Sequence, residues 1–352
     1  MRVGVIGCGK IARSHVTALR GIAGVEVVAA VDVDIGRARA FAATHGIPHA
    51  YQDADRMLAT GLDAVTVCTP HAAHEEGVLA AARHRTHVLC EKPVALTVAQ
   101  ARRMIVATGE AGVRFGVLFQ RRFWPAAARI RHAIDDGRLG TPISGGVLVR
   151  FNRDAGYYAE PWRGRLATEG GGVLMTQAIH HIDLLRWFMG PVRRVTGRCA
   201  TLVHRGLIEV EDTAAAVVEF ASGALATIQA GTTFQPGLGG QVWVSDARGR
   251  TASVLEFPEG VGCTDLSTVP GEEVSQTGRL EAGAPDLPLA EIHDHLAPYH
   301  ATQIEDFLDA VAHDREPAVT GLDAVRSLQI IEAIYASSRT GTPVELTDDV
   351  ED

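Results

Sequence analysis

Cysteine is scarce in this 352-residue chain, basic residues never cluster, and no apolar run is long. The five cysteines, Cys8, Cys68, Cys90, Cys199 and Cys263, include no C-x-x-C pair and are odd in number. That excludes a disulfide framework and a structural zinc, and no metal is expected. Three of them, Cys8, Cys68 and Cys90, end apolar runs, where a thiol serves as a small hydrophobe. No uninterrupted apolar stretch approaches the roughly 20 residues needed to span a bilayer. The opening Met1-Arg2-Val3-Gly4-Val5-Ile6 enters a strand-like run without a signal-peptide layout. A reducing cytoplasm is the expected compartment. With a formal charge of −9, the chain offers neither nucleic acid nor an anionic membrane a basic face.

What is present is ordinary globular material, 46% hydrophobic and 21% charged, in a chain long enough for two domains. Two periodicities divide it. Up to Phe119, short apolar runs (Val3–Ile6, Val25–Val31, Ala64–Val67, His87–Cys90, Arg114–Phe119) alternate with helix-favouring segments (Ile11–Ile22, Ile35–Thr44, His74–Arg83, Thr97–Ala111). Strands of that kind separated by helices predict a doubly wound parallel sheet. After a helix at Ala126–Asp136, strands succeed one another more directly: Ile143–Phe151, Val192–Leu202, Thr213–Phe220, Ala224–Gly231, Gln241–Ser245 and Thr251–Leu255. Ser222-Gly223 reads as a hairpin turn, and the second half as an α+β domain with an open, mostly antiparallel sheet. The helix Val173–Met189 interrupts these strands, residues 257–298 read as irregular surface, and helices His300–His313 and Leu322–Ser338 close the chain. The division falls near residues 120–125, giving a dinucleotide-binding domain over 1–122 and a substrate-binding and oligomerisation domain over 123–352.

The first turn carries chemistry. Gly7-Cys8-Gly9-Lys10-Ile11-Ala12 is G-x-G-x-x-A between a strand and a helix. Gly7 permits the tight turn, Gly9 has no Cβ to block a pyrophosphate, and Ala12 lets helix and strand pack closely. The backbone here, through Lys10 and Ile11, offers N–H groups and a positive dipole end to phosphate. Asp32 ends the next strand about 20–25 residues on, where a carboxylate accepts hydrogen bonds from an adenosine ribose. It repels a 2′-phosphate, so NAD is expected over NADP, although Arg37 and Arg39 nearby leave NADP open.

Three further motifs make the pattern specific. Cys68-Thr69-Pro70-His71-Ala72-Ala73-His74 comes after one strand, and His87-Val88-Leu89-Cys90-Glu91-Lys92-Pro93 ends another. Gly170-Gly171-Gly172-Val173-Leu174-Met175-Thr176-Gln177-Ala178-Ile179-His180-His181-Ile182-Asp183 opens the second-half helix. With Glu209-Val210-Glu211-Asp212-Thr213 and Ser338-Arg339-Thr340-Gly341-Thr342-Pro343, they resemble the glucose–fructose oxidoreductase / inositol dehydrogenase (Gfo/Idh/MocA) family along nearly the whole chain. The resemblance implies a Rossmann domain, an open-faced sheet domain with the active site between the two, a sugar or cyclitol substrate, and a homo-oligomer. It also implies a catalytic pair, Lys92 and His180. One departure is Thr176, where many members carry Asp four residues before the His, so a carboxylate relay at that place is not implied. The adjoining Gln177 is similar to a subgroup that includes nucleotide-sugar dehydrogenases.

The chemistry fits those residues. Oxidising a secondary alcohol removes a proton from oxygen while a hydride leaves carbon. Lys92 comes after a strand at the carboxyl edge of the sheet, and Pro93 restrains it to extended angles, with a cis Lys92–Pro93 bond one option. At α-helical spacing, Thr176, His180 and Asp183 share a face that is expected to meet substrate. His181 points elsewhere and is read as structural. Thr69, Pro70, His74 and Glu91 are expected around the nicotinamide side of the cofactor. Gln120, Tyr158, Trp162 and Arg163 are expected at the substrate. Arg121 and Arg122 suit either a substrate phosphate or a salt bridge. Two other readings compete: a glycosidase that retains NAD and works by transient oxidation, and a non-catalytic NAD-binding regulator.

Overall fold

The computed structural model describes residues 1–257, 259–260, 263–267, 269 and 286–347. Two compact units are formed, one from Met1–Gln120 with Ala297–Val325, the other from Arg121–Leu296 with the chain from Arg326 onward. The sequence reading has one division at 122/123; the chain instead returns to the first unit over 297–325.

In the first unit, six strands lie in the order β3-β2-β1-β4-β5-β6, all parallel. They are β1 (Arg2–Ile6), β2 (Glu26–Val31), β3 (His49–Tyr51), β4 (Ala64–Val67), β5 (His87–Cys90) and β6 (Phe115–Val117). Helices α1 (Lys10–Arg20), α2 (Ile35–Thr44), α3 (Ala54–Leu58), α4 (His74–Arg83) and α5 (Val98–Ala111) make the crossovers. The strand order reverses between β1 and β4, so the loops leaving these two strands border a crevice at the carboxyl edge. The short β3 and α3 are absent from the sequence reading; three and five residues carry too little periodicity to register. Val3, Val5, Val16, Leu19, Val27 and Ala30 form the core on one face of the sheet, joined by Ile304, Phe307 and Leu308 of the returning segment.

The second unit is built on an eight-stranded sheet, β13-β12-β11-β7-β10-β9-β8-β14, in which β7 and β10 pair parallel and the other neighbours antiparallel. The strands are β7 (Pro142–Arg150), β8 (Val192–Ala200), β9 (Thr213–Phe220), β10 (Leu225–Gly231), β11 (Gly239–Asp246), β12 (Thr251–Glu256), β13 (Cys263–Ser267) and β14 (Val344–Glu345). The expected β9–β10 hairpin turns at Gly223, with φ +86°. Helices α6 (Pro125–Asp135), α7 (Leu166–Glu169), α8 (Ile179–Met189), α9 (Leu289–Ala312) and α10 (Gly321–Thr340) complete the chain. Gly145 lets α8 lie against β7; a Cβ there would come within 2.5 Å of the Met189 Sδ and 3.2 Å of Leu185. The opposite face leaves Val217 and Leu225 exposed.

Residues 257–298 differ from the irregular surface read from the sequence. Cys263–Ser267 is a strand, and α9 begins at Leu289, well before His300. Pro298, which lacks an N–H, lies inside that helix. The remainder of that reading, residues 270–285, lies outside the described residues.

Candidate functional site

In the first unit, the candidate residues begin at the β1–α1 turn. Gly7 has φ +91°, and a Cβ there would lie 2.8 Å from the Thr69 nitrogen, so the turn can press against the loop after β4 only as glycine. A Cβ at Gly9 would meet nothing within 4 Å. Gly9 is also the N-cap of α1 and supplies no side-chain hydrogen bond. The first-turn N–H groups of α1 are therefore uncapped by a side chain beside open space, as a bound phosphate requires. Ala12 is fully buried against the sheet, and Lys10 is exposed.

Asp32 sits at the end of β2, where its Oδ2 accepts the Cys8 N–H at 3.0 Å and its Oδ1 the Asp34 N–H at 3.0 Å. The exposed Arg37 reaches Oδ1 at 3.4 Å. The carboxylate thus fixes the glycine turn. Thr69 Oγ1 and Gln120 Oε1 are among the buried side-chain acceptors with no partner among the described residues. Orphan polar atoms near a strand edge suit a ligand that satisfies them. Turn, helix end and orphan acceptors together fit a dinucleotide.

Glu91 and His74, expected at the cofactor, are buried struts instead. The Glu91 Oε2 accepts the Lys92 N–H at 3.1 Å, while Oε1 lies 2.9 Å from His15 Nε2 and 3.9 Å from His300 Nε2. Burial alone would raise the Glu91 carboxyl, but the His15 contact outweighs it and holds it down at about 2. Burial likewise pulls the His15 imidazole down, but Cys68 and Glu91 lift it to about 10. His74 bridges the Thr69 and Pro93 carbonyls at 2.9 and 2.8 Å, and burial lowers its pKa. The Lys92–Pro93 peptide is cis. Lys92 itself is half-buried, and the Glu91 hydrogen bond seats it at the edge of β5 on a frame of buried groups. His15 and His300 are missing from the sequence reading; a histidine inside the apolar stripe of α1, between Ala12 and Leu19, is the signal that could have shown the first.

In the second unit, the candidate residues begin at the glycine triplet. A Cβ at Gly171 would collide with the Tyr335 hydroxyl, and one at Gly172 with the Glu211 carbonyl. Glu211 accepts the Gly172 and Leu174 N–H groups at 2.8 and 3.0 Å and the Tyr335 hydroxyl at 2.9 Å. It anchors the N-terminus of the helix that carries His180, and burial raises its pKa. The sequence reading gives Glu211 no task.

That helix runs from Val173, but Leu174–Ala178 is π-helical before α8 continues. One extra residue in a turn rotates the residues on its N-terminal side by roughly 100° relative to those on its C-terminal side. The strip of Thr176, His180 and Asp183 read at α spacing is broken accordingly. Thr176 lies against the Gly172 carbonyl, at 2.9 Å, and the Gln177 side chain. His180 is buried. Asp183 is 0% exposed and accepts Arg122 Nε and Nη2 at 2.7 Å each and the Ser327 hydroxyl at 3.0 Å. Every oxygen is engaged, so the expected substrate contact of Asp183 gives way to a buried ion pair. Arg121 is paired likewise, with Glu256 at 2.6 and 3.0 Å. His181, 3.1 Å from Glu256, is structural, and burial lowers its pKa.

Arg163 lies 4.0 Å from the Tyr157 ring centroid and 4.3 Å from that of Trp162. Its Nη1 donates to the Tyr157 hydroxyl, which also accepts Gln177 Nε2 at 3.1 Å. Tyr158 meets Thr232 at 3.2 Å and stacks obliquely on His204, and burial pushes its hydroxyl up to about 12. The aromatic loop is thus wired to the π-turn that precedes His180. Among the described residues there is no metal-holding cluster of His, Cys, Asp and Glu, and no helix long and apolar enough to cross a membrane.

Known proteins resemble this chain over almost its whole length. Residues 1–119 match the family model "Oxidoreductase family, NAD-binding Rossmann fold", and residues 127–251 match "GFO/IDH/MocA C-terminal domain". A D-apiose dehydrogenase of Paraburkholderia graminis is 32% identical over 97% of this chain and 88% of its own length. Inositol 2-dehydrogenase 1 of Saccharopolyspora erythraea is 29% identical, over 98% and 96%. The WlbA dehydrogenase from Bordetella pertussis, solved in complex with NADH and UDP-GlcNAcA, superposes with a TM-score of 0.81 at 29% identity, covering 99% of each chain.

Proposed function

This chain belongs to the Gfo/Idh/MocA oxidoreductase family, and we propose that it oxidises or reduces a ring hydroxyl of a sugar, nucleotide sugar or cyclitol with Lys92 and His180 as its catalytic groups. The chain is an NAD(P)-dependent oxidoreductase whose first unit is an NAD-binding Rossmann domain; the relatives are dehydrogenases, and the glycosidase alternative finds no support in them.

The Gly7–Gly9 turn with Lys10 and Ile11, Asp32 at the ribose, and Thr69 and Pro70 nearer the nicotinamide would hold the dinucleotide. When bound, NAD supplies the hydride acceptor. Lys92 Nζ takes the hydroxyl proton in oxidation and returns it in reduction. His180 hydrogen-bonds the reacting oxygen and holds it in line. Gln120, Tyr158, Trp162, Arg163 and Thr176 contact the remaining ring oxygens. The observation that carries the reading is the anchoring of Lys92: its main-chain N–H is locked by a carboxylate that is itself buried and ion-paired. A surface lysine needs no such frame.

The uncovered face of the second sheet, with Val217 and Leu225 exposed by 47% and 53%, suits a homo-oligomeric contact. Light scattering of the purified chain reads this directly, and a monomer at micromolar concentration removes it. The free thiols of Cys8, Cys68, Cys90 and Cys199 suit the cytoplasm. The activity itself is tested by incubating the protein with NAD or NADP and a panel of ring alcohols and nucleotide sugars, reading NADH or NADPH absorbance. No turnover of any member contradicts the assignment.

A further inference from the structure

Two guanidinium groups flank the Tyr157 ring, and they are treated differently. Arg153 lies 5.1 Å from the ring centroid and is neutralised by Glu259, whose two oxygens accept its Nη2 at 2.7 and 2.8 Å. Arg163 lies 4.0 Å from the same centroid and forms no ion pair among the described residues. Neither Glu160 nor Glu169, three and six residues away, is ion-paired with it among the described residues, and Glu169 spends one oxygen on the Gly164 N–H at 2.5 Å. Arg163 is half-buried, sandwiched between the Tyr157 and Trp162 faces, and its orientation is fixed through the Tyr157 hydroxyl.

A guanidinium taken partly out of water costs free energy unless an anion compensates it. The aromatic faces return part of that cost. They also hold the planar fork in one orientation, which suits two-pronged capture of a carboxylate or phosphate. The neighbouring Arg153 shows that this loop neutralises a cation where only structure is at stake. Tyr157 carries the link onward: its hydroxyl takes Gln177 Nε2, and Gln177 sits in the π-turn three residues before His180.

We infer that Arg163 is the anion-binding element of the substrate site, and that the preferred substrate is a ring alcohol bearing a carboxylate or phosphate group. This rests on the hydride-transfer reading and narrows its substrate class. Neutral sugars and cyclitols then remain poorer substrates for want of a partner for Arg163.

The test uses the full chain with NAD and four ring alcohols: D-glucuronate for a carboxylate, UDP-glucose for phosphate, and D-glucose and myo-inositol as neutral counterparts. Wild type should show at least a tenfold higher kcat/KM for one anionic member than for either neutral one; which anion wins separates carboxylate from phosphate. In Arg163→Gln that preference should fall at least tenfold, mainly through KM, and Arg163→Lys should recover part of it. Circular dichroism establishes that both variants are folded. A wild type that prefers the neutral ring alcohols, or a preference that survives Arg163→Gln, overturns the inference while leaving hydride transfer standing. If no ring alcohol is turned over, the functional reading has failed, and calorimetric titration of D-glucuronate and UDP-glucose into the NAD-loaded chain still decides this point. Binding of one of them that weakens tenfold in Arg163→Gln supports the anion site; binding of neither removes it.

Discussion

Asp32 Oδ2 accepts the backbone N–H of Cys8 at 3.0 Å, so the residue that closes β2 also holds the glycine turn that closes β1. One carboxylate thereby does two tasks. It holds the glycine turn in shape, and in the proposed reading it also offers an oxygen to the adenosine ribose.

Asp32→Ala should therefore weaken NAD by at least tenfold, from the lost ribose contact and from the loosened turn. NADP should lose less, because the carboxylate that repels its 2′-phosphate has gone and Arg37 is released. Fluorescence titration with both dinucleotides measures this. An equal loss of both removes Asp32 from cofactor choice.

The two glycines of the turn should separate cleanly. Gly9→Ala adds a methyl group to open space, so the melting temperature should stay within a few degrees while NAD affinity drops by an order of magnitude or more. Gly7→Ala places a Cβ against the Thr69 backbone at a positive φ, so it should lower stability by roughly 1–3 kcal/mol. Thermal melts without cofactor and NAD titrations on both variants check the pair. A Gly9→Ala protein that binds NAD normally contradicts the phosphate placement.

Asp183→Ala removes the buried carboxylate that accepts Arg122 and Ser327, and loss of one member of a buried pair costs about 3–5 kcal/mol. Urea unfolding should show that loss. A variant of normal stability with a raised KM would restore Asp183 to the substrate site.

The His15–Glu91 pair gives a pH dependence. His15 titrates higher in the fold than unfolded, so its contribution is complete below its unfolded value near 6.5 and fades as pH rises toward about 10. Glu91 titrates lower, so its contribution is complete above its unfolded value near 4.5 and fades as pH falls toward about 2. The pair is fully effective only between those unfolded values. Wild type should therefore lose stability between pH 7 and 10, and His15→Gln should be less stable at pH 6 with a flatter profile above 7. Parallel slopes in the two proteins would exclude His15 as the titrating group.

Much of this was legible in the sequence, because the chemistry of the first unit is carried by local order. G-x-G-x-x-A between a strand and a helix, an acid at the end of the next strand, and Glu91-Lys92-Pro93 at a strand end each imply their surroundings. The losses came where partners are distant or where helical register changes. Asp183 looked ligand-facing because α-helical spacing aligned it with His180; only the π-turn and the approach of Arg122 and Ser327, 61 and 144 residues away, reveal its pairing. His15 and His300 are 285 residues apart, and nothing local joins either of them to Glu91. The helical start at Leu289 was hidden by Pro298, which reads as a boundary in any sequence.

The account rests most heavily on Lys92 as the group that moves the hydroxyl proton. Its most direct test is NADH formation by wild type and Lys92→Ala on whichever ring alcohol the panel selects, with NAD affinity measured on the same preparations. Turnover should fall by about two to four orders of magnitude while NAD binding stays within a few-fold. Lys92→Ala turning over at a wild-type rate, or folding normally but failing to bind NAD, would contradict it.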